Sequence, residues 1–168
     1  MTPADEQDLA RRAAGGDLAA FGVLVRSHEA SLRRYTRRLA GDEGDDIAQD
    51  ALLAAWRALG QWRGDGSFAG WLRRIATRRY LDRQRRAAPP SSSEVDRAMA
   101  DPHCSPDRHI AVDRALGTLR PREKAAALLV FAEGYSHAEA AAMLDLRLGT
   151  LKSIVARARA ALIPLLEE

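Results

Sequence analysis

Apolar residues return every third or fourth position through most of this chain, the repeat of helices that bury one face. Phe21, Leu24, Val25, His28, Leu32, Tyr35 and Leu39 trace one such stripe, ended by Ala40-Gly41. Ahead of it, Asp5 to Ala14 predicts a short helix stopped at Gly15-Gly16, and Asp17 stands where the next helix needs its cap. Ile47, Ala51, Leu52, Ala55 and Leu59 mark a third helix. The glycines of Trp62-Arg-Gly-Asp-Gly-Ser67 predict a loop. Ser67 is placed to cap a fourth helix, whose first half carries Phe68, Trp71, Leu72, Ile75 and Ala76. Two prolines and three serines after Ala87 cannot sustain a helix, and little up to Ser105 can be buried, which predicts a linker. Ser105-Pro106 starts a further helical pattern through Leu116, and Pro121 suits a first helical turn, where its missing N–H costs nothing.

The stretch 119–162 reads as three helices, the last two meeting at a tight turn. Ser136 and Glu139 fit a capping box, which starts the short helix ahead of that turn. The final helix faces two ways. Leu148, Leu151, Val155, Ala158, Leu162 and Leu165 fall on one side, while Thr150, Ser153 and Arg157, flanked by Lys152 and Arg159, fall on another. A capped short helix, a turn and a basic amphipathic helix form the pattern of a helix-turn-helix whose second helix lies in a DNA major groove. An ordinary helical hairpin with a solvated basic face has the same pattern, so the spacing alone leaves both readings open.

Composition narrows the fold class. The 168 residues suffice for one ordinary domain or two small ones. Alanine, leucine and arginine abound, and alternating Val/Ile/Thr runs are missing, which points to an all-α protein. The net charge is only +3, but the arginines are clustered, so local patches matter more than the sum. A lone Cys104 allows no internal disulfide and suits a reducing compartment. With no basic-then-apolar leader and no apolar run near the ~18–20 residues that span a bilayer, a soluble, cytoplasmic chain is expected.

Charge placement carries the first functional hints. Asp42, Glu43, Asp45 and Asp46 open the third helix, where acids oppose the helix dipole by about 0.3–1 kcal/mol each. That accounts for Asp45 and Asp46. It does not account for Gln49 and Asp50, which project outward and could meet a partner. Arg73, Arg74, Arg78, Arg79, Arg83, Arg85 and Arg86 crowd the fourth helix. Mutually repelling arginines make a polyanion the natural companion, and phosphate contacts of this sort bring affinity and salt dependence without sequence information. His103, Cys104 and His109 lack the paired spacing and fourth ligand of a structural zinc site, so ordinary linker chemistry is expected there, with no cofactor. No P-loop, dinucleotide fingerprint, zinc-protease motif or nucleophile elbow is present, and a non-enzyme without a small-molecule substrate is expected.

Taken in order, DDIAQDALLAAWRAL, WRGDGSFAGWLRRIATRRYLDRQRR, LRPREKAAALLVFAEGYSHAEAAAML and LGTLKSIVARARAAL resemble bacterial sigma factors of the extracytoplasmic-function type, in the sigma-70 family. The resemblance covers about Ala20 to Ala87 and Val112 to Leu162, with a linker between. It implies a specificity subunit of RNA polymerase with two small helical domains: residues 1–87 as the second sigma region, 88–108 as linker and 109–168 as the fourth sigma region. By the same resemblance, Asp46, Gln49 and Asp50 would dock on core polymerase. The loop carrying Arg63, Asp65 and Ser67 would capture a flipped base of the downstream (−10) promoter element, with Arg74, Arg78 and Arg79 on backbone phosphates and Trp71 in the core. Thr150, Lys152, Ser153, Ala156 and Arg157 would face the upstream (−35) element, with Arg157 assigned to a base, Lys152 to base or phosphate, and Thr150 near a phosphate.

Two positions depart from the family's habit: Arg78, where Asn is common, and Ile154, where Arg is common, so Ile154 packs either in its own domain or on the polymerase. An inhibitory anti-sigma factor is the further partner implied. A stand-alone helix-turn-helix regulator would leave the first module unexplained. A sigma-like adaptor that only captures an anti-sigma factor would be expected to lose the cationic features.

Overall fold

The first helix begins earlier than its apolar spacing suggests, because Thr2 supplies the cap. In the computed structural model, which describes residues 2–64, 66–87 and 115–166, α1 runs Pro3–Ala14. Thr2 Oγ1 accepts from the Asp5 N–H and Asp5 answers from Thr2 N, with Pro3 at the first turn. Gly16, at φ 97°, supplies the left-handed stop. Asp17 then caps α2 (Leu18–Ala40) by accepting from Ala20 N at 3.0 Å, as expected. α3 spans Gly44–Ala58 and α4 spans Phe68–Ala87, with 3₁₀ turns at Gly41–Glu43 and Leu59–Gln61. After the helical residues 115–117 come α5 (Pro121–Ala127), a π turn (Leu128–Ala132), α6 (His137–Leu144) and α7 (Leu148–Leu166). The fold is all-α, and among the described residues there is no strand and no helix long and apolar enough to cross a membrane. Two compact units result, Met1–Tyr80 and Leu81–Glu168, the division falling within α4. The segment read as a linker, its helix start at Ser105-Pro106, and His103, Cys104 and His109 lie outside the described residues.

In the first unit α2 is the central rod. Leu24, Leu32, Tyr35 and Leu39 are buried against Ile47, Ala48, Ala51 and Ala55 of α3 and Phe68, Leu72, Ala76 and Tyr80 of α4. The α3 stripe differs from its expected form by one step: Ala48 is buried, while Leu52 is only half-buried. The reason is backbone proximity. A Cβ on Gly44 would lie 2.5 Å from Arg37 Cα and 2.6 Å from Arg37 N, so the start of α3 rests directly on the α2 main chain. Small residues at 48, 51 and 55 continue that close approach.

The second unit is built around the α5–α7 seam. Ala125 to Leu129 are buried opposite Leu151, Ile154, Val155 and Ala158. Ile154, 6% exposed, therefore packs in its own domain. Leu148 departs from its predicted stripe: it is the first residue of α7, at the end of the seam, and remains 44% exposed. The π turn after α5 closes with Glu133 N–H on Leu128 O and Tyr135 N–H on Leu129 O, and Gly134 at φ 74° turns the chain toward α6.

Gly44→Ala should destabilise the first unit by about 1–3 kcal/mol, the usual cost of overpacking. Urea unfolding followed by circular dichroism measures it, with Gly60→Ala as control, since a Cβ at Gly60 meets nothing within 4 Å. Equal stability of the two variants would show that the α2–α3 approach relaxes freely.

Candidate nucleic-acid and polymerase interfaces

The loop between α3 and α4 is held at both ends by aromatic rings. Trp62 and Phe68 meet edge-on with centroids 5.3 Å apart, Trp71 lies 5.5 Å from Phe68, and His28 of α2 lies 5.4 Å from Phe68. Trp71 thus packs beneath the loop, half-buried. Ser67 Oγ accepts from Gly70 N at 3.1 Å, which starts α4 as its sequence position predicts. α1 contributes a support that sequence spacing did not reveal. Glu6 Oε2 accepts from Phe68 N at 3.3 Å, its Oε1 lies 3.0 Å from His28 Nε2, and a Cβ at Gly64 would press on Gln7. Gly64 and Gly66, at φ 78° and 93°, let the chain turn between these anchors. Arg63 and Ser67 are exposed, and Asp65 lies outside the described residues. An open groove lined by Gln7, Arg11, Trp62 and Arg63 runs beside the loop.

Helix α4 sorts its arginines by angle. Its buried stripe leaves Arg78 and Arg79 exposed, with Arg74 half-buried one turn before Arg78 on the same side. Arg74 Nε is enclosed and makes no hydrogen bond. Arg73 is turned inward, donating to Ser31 Oγ at 2.7 Å, and Arg85 pairs with Asp82. Burial, aided by Glu43, pushes the Tyr80 phenol up to about 12.

The acids of α3 separate into two sets. Asp45 accepts from Arg37 Nε and Nη2 at 3.0 and 2.8 Å and from Arg33 Nη1 at 3.2 Å. Arg37, ahead of Arg33, holds its carboxyl below the usual carboxylate range, against a smaller opposing effect of burial. Asp45 therefore fastens α3 to α2, a cross-helix role that the dipole account alone did not contain. Asp46, Gln49 and Asp50 are exposed at helical spacing on one outward face.

In the second unit the capping box closes as predicted. Ser136 Oγ accepts from Glu139 N at 3.2 Å and Glu139 Oε2 accepts from Ser136 N at 2.9 Å, with the Ser136 hydroxyl and N–H holding the Glu139 carboxyl low. The turn into α7 uses Asp145 in the left-handed conformation (φ 57°, ψ 48°), with Leu146 N–H on Ala141 O. No glycine marks this turn; aspartate is among the few residues that tolerate the geometry. Thr150, Lys152, Ser153, Ala156 and Arg157 are all exposed on α7. Ser153 donates to Gly149 O at 3.1 Å, so its oxygen faces outward chiefly as an acceptor. Arg157 Nε donates to Glu123 Oε1 of α5 at 3.2 Å. Among the described residues no group of three or more metal-ligating side chains is assembled.

Two family models match the chain in this order: sigma-70 region 2 over residues 24–89 and sigma-70 region 4 over residues 109–162. The extracytoplasmic-function RNA polymerase sigma factor SigM of Mycobacterium tuberculosis is 41% identical over 166 residues, spanning 96% of this chain and 84% of that protein. The RNA polymerase sigma-H factor of Pseudomonas aeruginosa is 33% identical, spanning 100% and 99%. Among solved structures, CnrH in complex with the cytosolic domain of CnrY matches with a TM-score of 0.68 and 30% identity, covering 97% of each chain. The sigma factor RpoE in complex with the anti-sigma factor NepR from Bartonella quintana matches with a TM-score of 0.73 and 26% identity, covering 88% of this chain and 96% of that one. The chain belongs to the extracytoplasmic-function sigma factors of the sigma-70 family.

Proposed function

We propose that the chain binds core RNA polymerase through Asp46, Gln49 and Asp50 and directs promoter-specific initiation by gripping DNA at two points. The observation that carries this reading is the pairing, on one chain, of an outward arginine face on α4 with an outward basic face on α7, each within its own sigma-region match. Residues 1–87 serve as the second sigma region and 109–168 as the fourth, joined through 88–108.

At the downstream element, the loop with Arg63, Asp65 and Ser67 takes a base out of its stack. Unstacking costs a few kcal/mol, and cations on the adjoining backbone offset it. Arg74, Arg78 and Arg79 supply those cations, and the groove beside Arg63 gives an extruded base somewhere to go. At the upstream element α7 lies in the major groove. Arg157 donates to a base, the Ser153 oxygen accepts, Lys152 reaches base or phosphate, Ala156 leaves room for close approach, and Thr150 meets a phosphate at the helix start. Because CnrH and RpoE are seen with CnrY and the anti-sigma factor NepR, respectively, we assign an inhibitory anti-sigma partner here too.

Run-off transcription with purified core polymerase and a promoter library tests the whole reading: sequence-dependent initiation is expected. Tight DNA binding by the protein alone, without initiation, would instead identify a stand-alone regulator. Asp50→Arg should weaken binding to core, measured by titration of labelled protein, and unchanged affinity removes α3 from that interface. Arg157→Ala should relax preference at one upstream base pair by about 1–3 kcal/mol. Uniform weakening on every promoter would place Arg157 on phosphate only.

A further inference from the structure

On the α7 face, Arg157 is tied to another helix of its domain, and the tie is one-sided. Its side chain is 63% exposed, while that of its partner Glu123 is only 15% exposed. Glu123 sits in the first turn of α5, where its Oε2 accepts from Arg120 N at 3.3 Å. Its Oε1 accepts from Arg157 Nε at 3.2 Å, across 34 residues of sequence. One carboxylate thus engages two donors with separate oxygens, and the α5–α7 seam fixes the distance between them. An exposed arginine on a single helix samples many rotamers, and holding it in one costs conformational entropy whenever it reads a base. Tethering Nε removes part of that freedom before DNA arrives. The terminal Nη1/Nη2 pair remains for a guanine, whose O6 and N7 accept from two such donors.

We infer that Glu123 is a positioning residue for promoter readout: it orients the Arg157 guanidinium and so sharpens base discrimination at the upstream element without touching DNA. This rests on Arg157 facing the upstream element as proposed above. It also predicts an asymmetry between the residues of the α7 face. Lys152 stands outside this arrangement, so its contribution should not depend on Glu123.

The test compares full-length wild type, Glu123→Gln, Arg157→Ala and the double variant as holoenzymes on a promoter library randomised across the upstream element, read as initiation per sequence. Gln retains an oxygen for the Arg120 N–H. That oxygen cannot serve both donors as the carboxylate does, and the amide NH₂ repels Arg157. Glu123→Gln should therefore lower discrimination at the single base pair read by Arg157 by about fivefold or more, with other positions unchanged. In the Arg157→Ala background it should have no further effect. Thermal unfolding of each variant separates positioning from loss of the α5 start: a destabilised variant that keeps its base profile overturns the inference. So does an additive effect in the double variant, or a loss spread over all positions. Failure of the wild type to initiate would instead sink the sigma reading itself. Loss of preference in Arg157→Ala with none in Glu123→Gln would sink only the positioning role.

Discussion

A pair of hydroxyls buried between α2 and α4 pins the rotation that the buried stripe gives the arginine helix, and the face offered by the first unit depends on it. Tyr35 and Thr77 meet at 2.6 Å, and Thr77 also donates to Arg73 O at 2.7 Å. Since a threonine hydroxyl has one proton, that donation leaves Tyr35 as the donor of the shared bond. A satisfied buried pair contributes only about 0.5–1.5 kcal/mol, but stranding either partner costs about 1–3 kcal/mol. Turning α4 by a fraction of a turn would break the Tyr35–Thr77 bond while driving arginines toward the core. The buried stripe of Phe68, Leu72, Ala76 and Tyr80 decides which side of this cationic helix faces out, and the directional contact reinforces that choice.

The same economy recurs in the handling of charge. Arg33 and Arg37 are spent on Asp45, Arg73 on Ser31 and Arg85 on Asp82, all within their own units. Arg78 and Arg79 face outward on α4. A small net charge is therefore compatible with strong local fields, since acids such as Asp45 and Asp82 lie opposite arginines of their own units.

Much of this was legible in the chain because helices write their packing locally. The stripes through α2 and α7, the caps at Asp17, Ser67 and Ser136, and Pro121 in a first turn all depend on neighbours within about four residues. What was not legible depends on distance. Asp45 reads as a dipole acid until α2 lies beside it. Glu6 reads as a surface residue until Phe68 N arrives from 62 positions away. Thr2 caps α1 through a signal the apolar spacing does not carry, a Thr-Pro start with Asp5 three residues on. Asp145 carries a left-handed turn that glycine usually announces, and Glu123 acquires its second partner only through the α5–α7 seam. The exposed residues of α4 and α7 were readable as faces, because exposure on a helix follows from the position of its buried stripe.

The rings clamping the loop also distribute the chromophores unevenly. The chain has three tryptophans, and all lie in the first unit: Trp56 against Phe21, and Trp62 and Trp71 at the two ends of the loop into α4. Intrinsic fluorescence excited at the red edge therefore reports on the first unit alone, and two of its three emitters adjoin the loop. The second unit is dark in that channel. Its own transitions need an added dye, because Tyr135 shares its signal with Tyr35 and Tyr80 of the first unit, so the two halves of the chain can be followed separately without labelling the first.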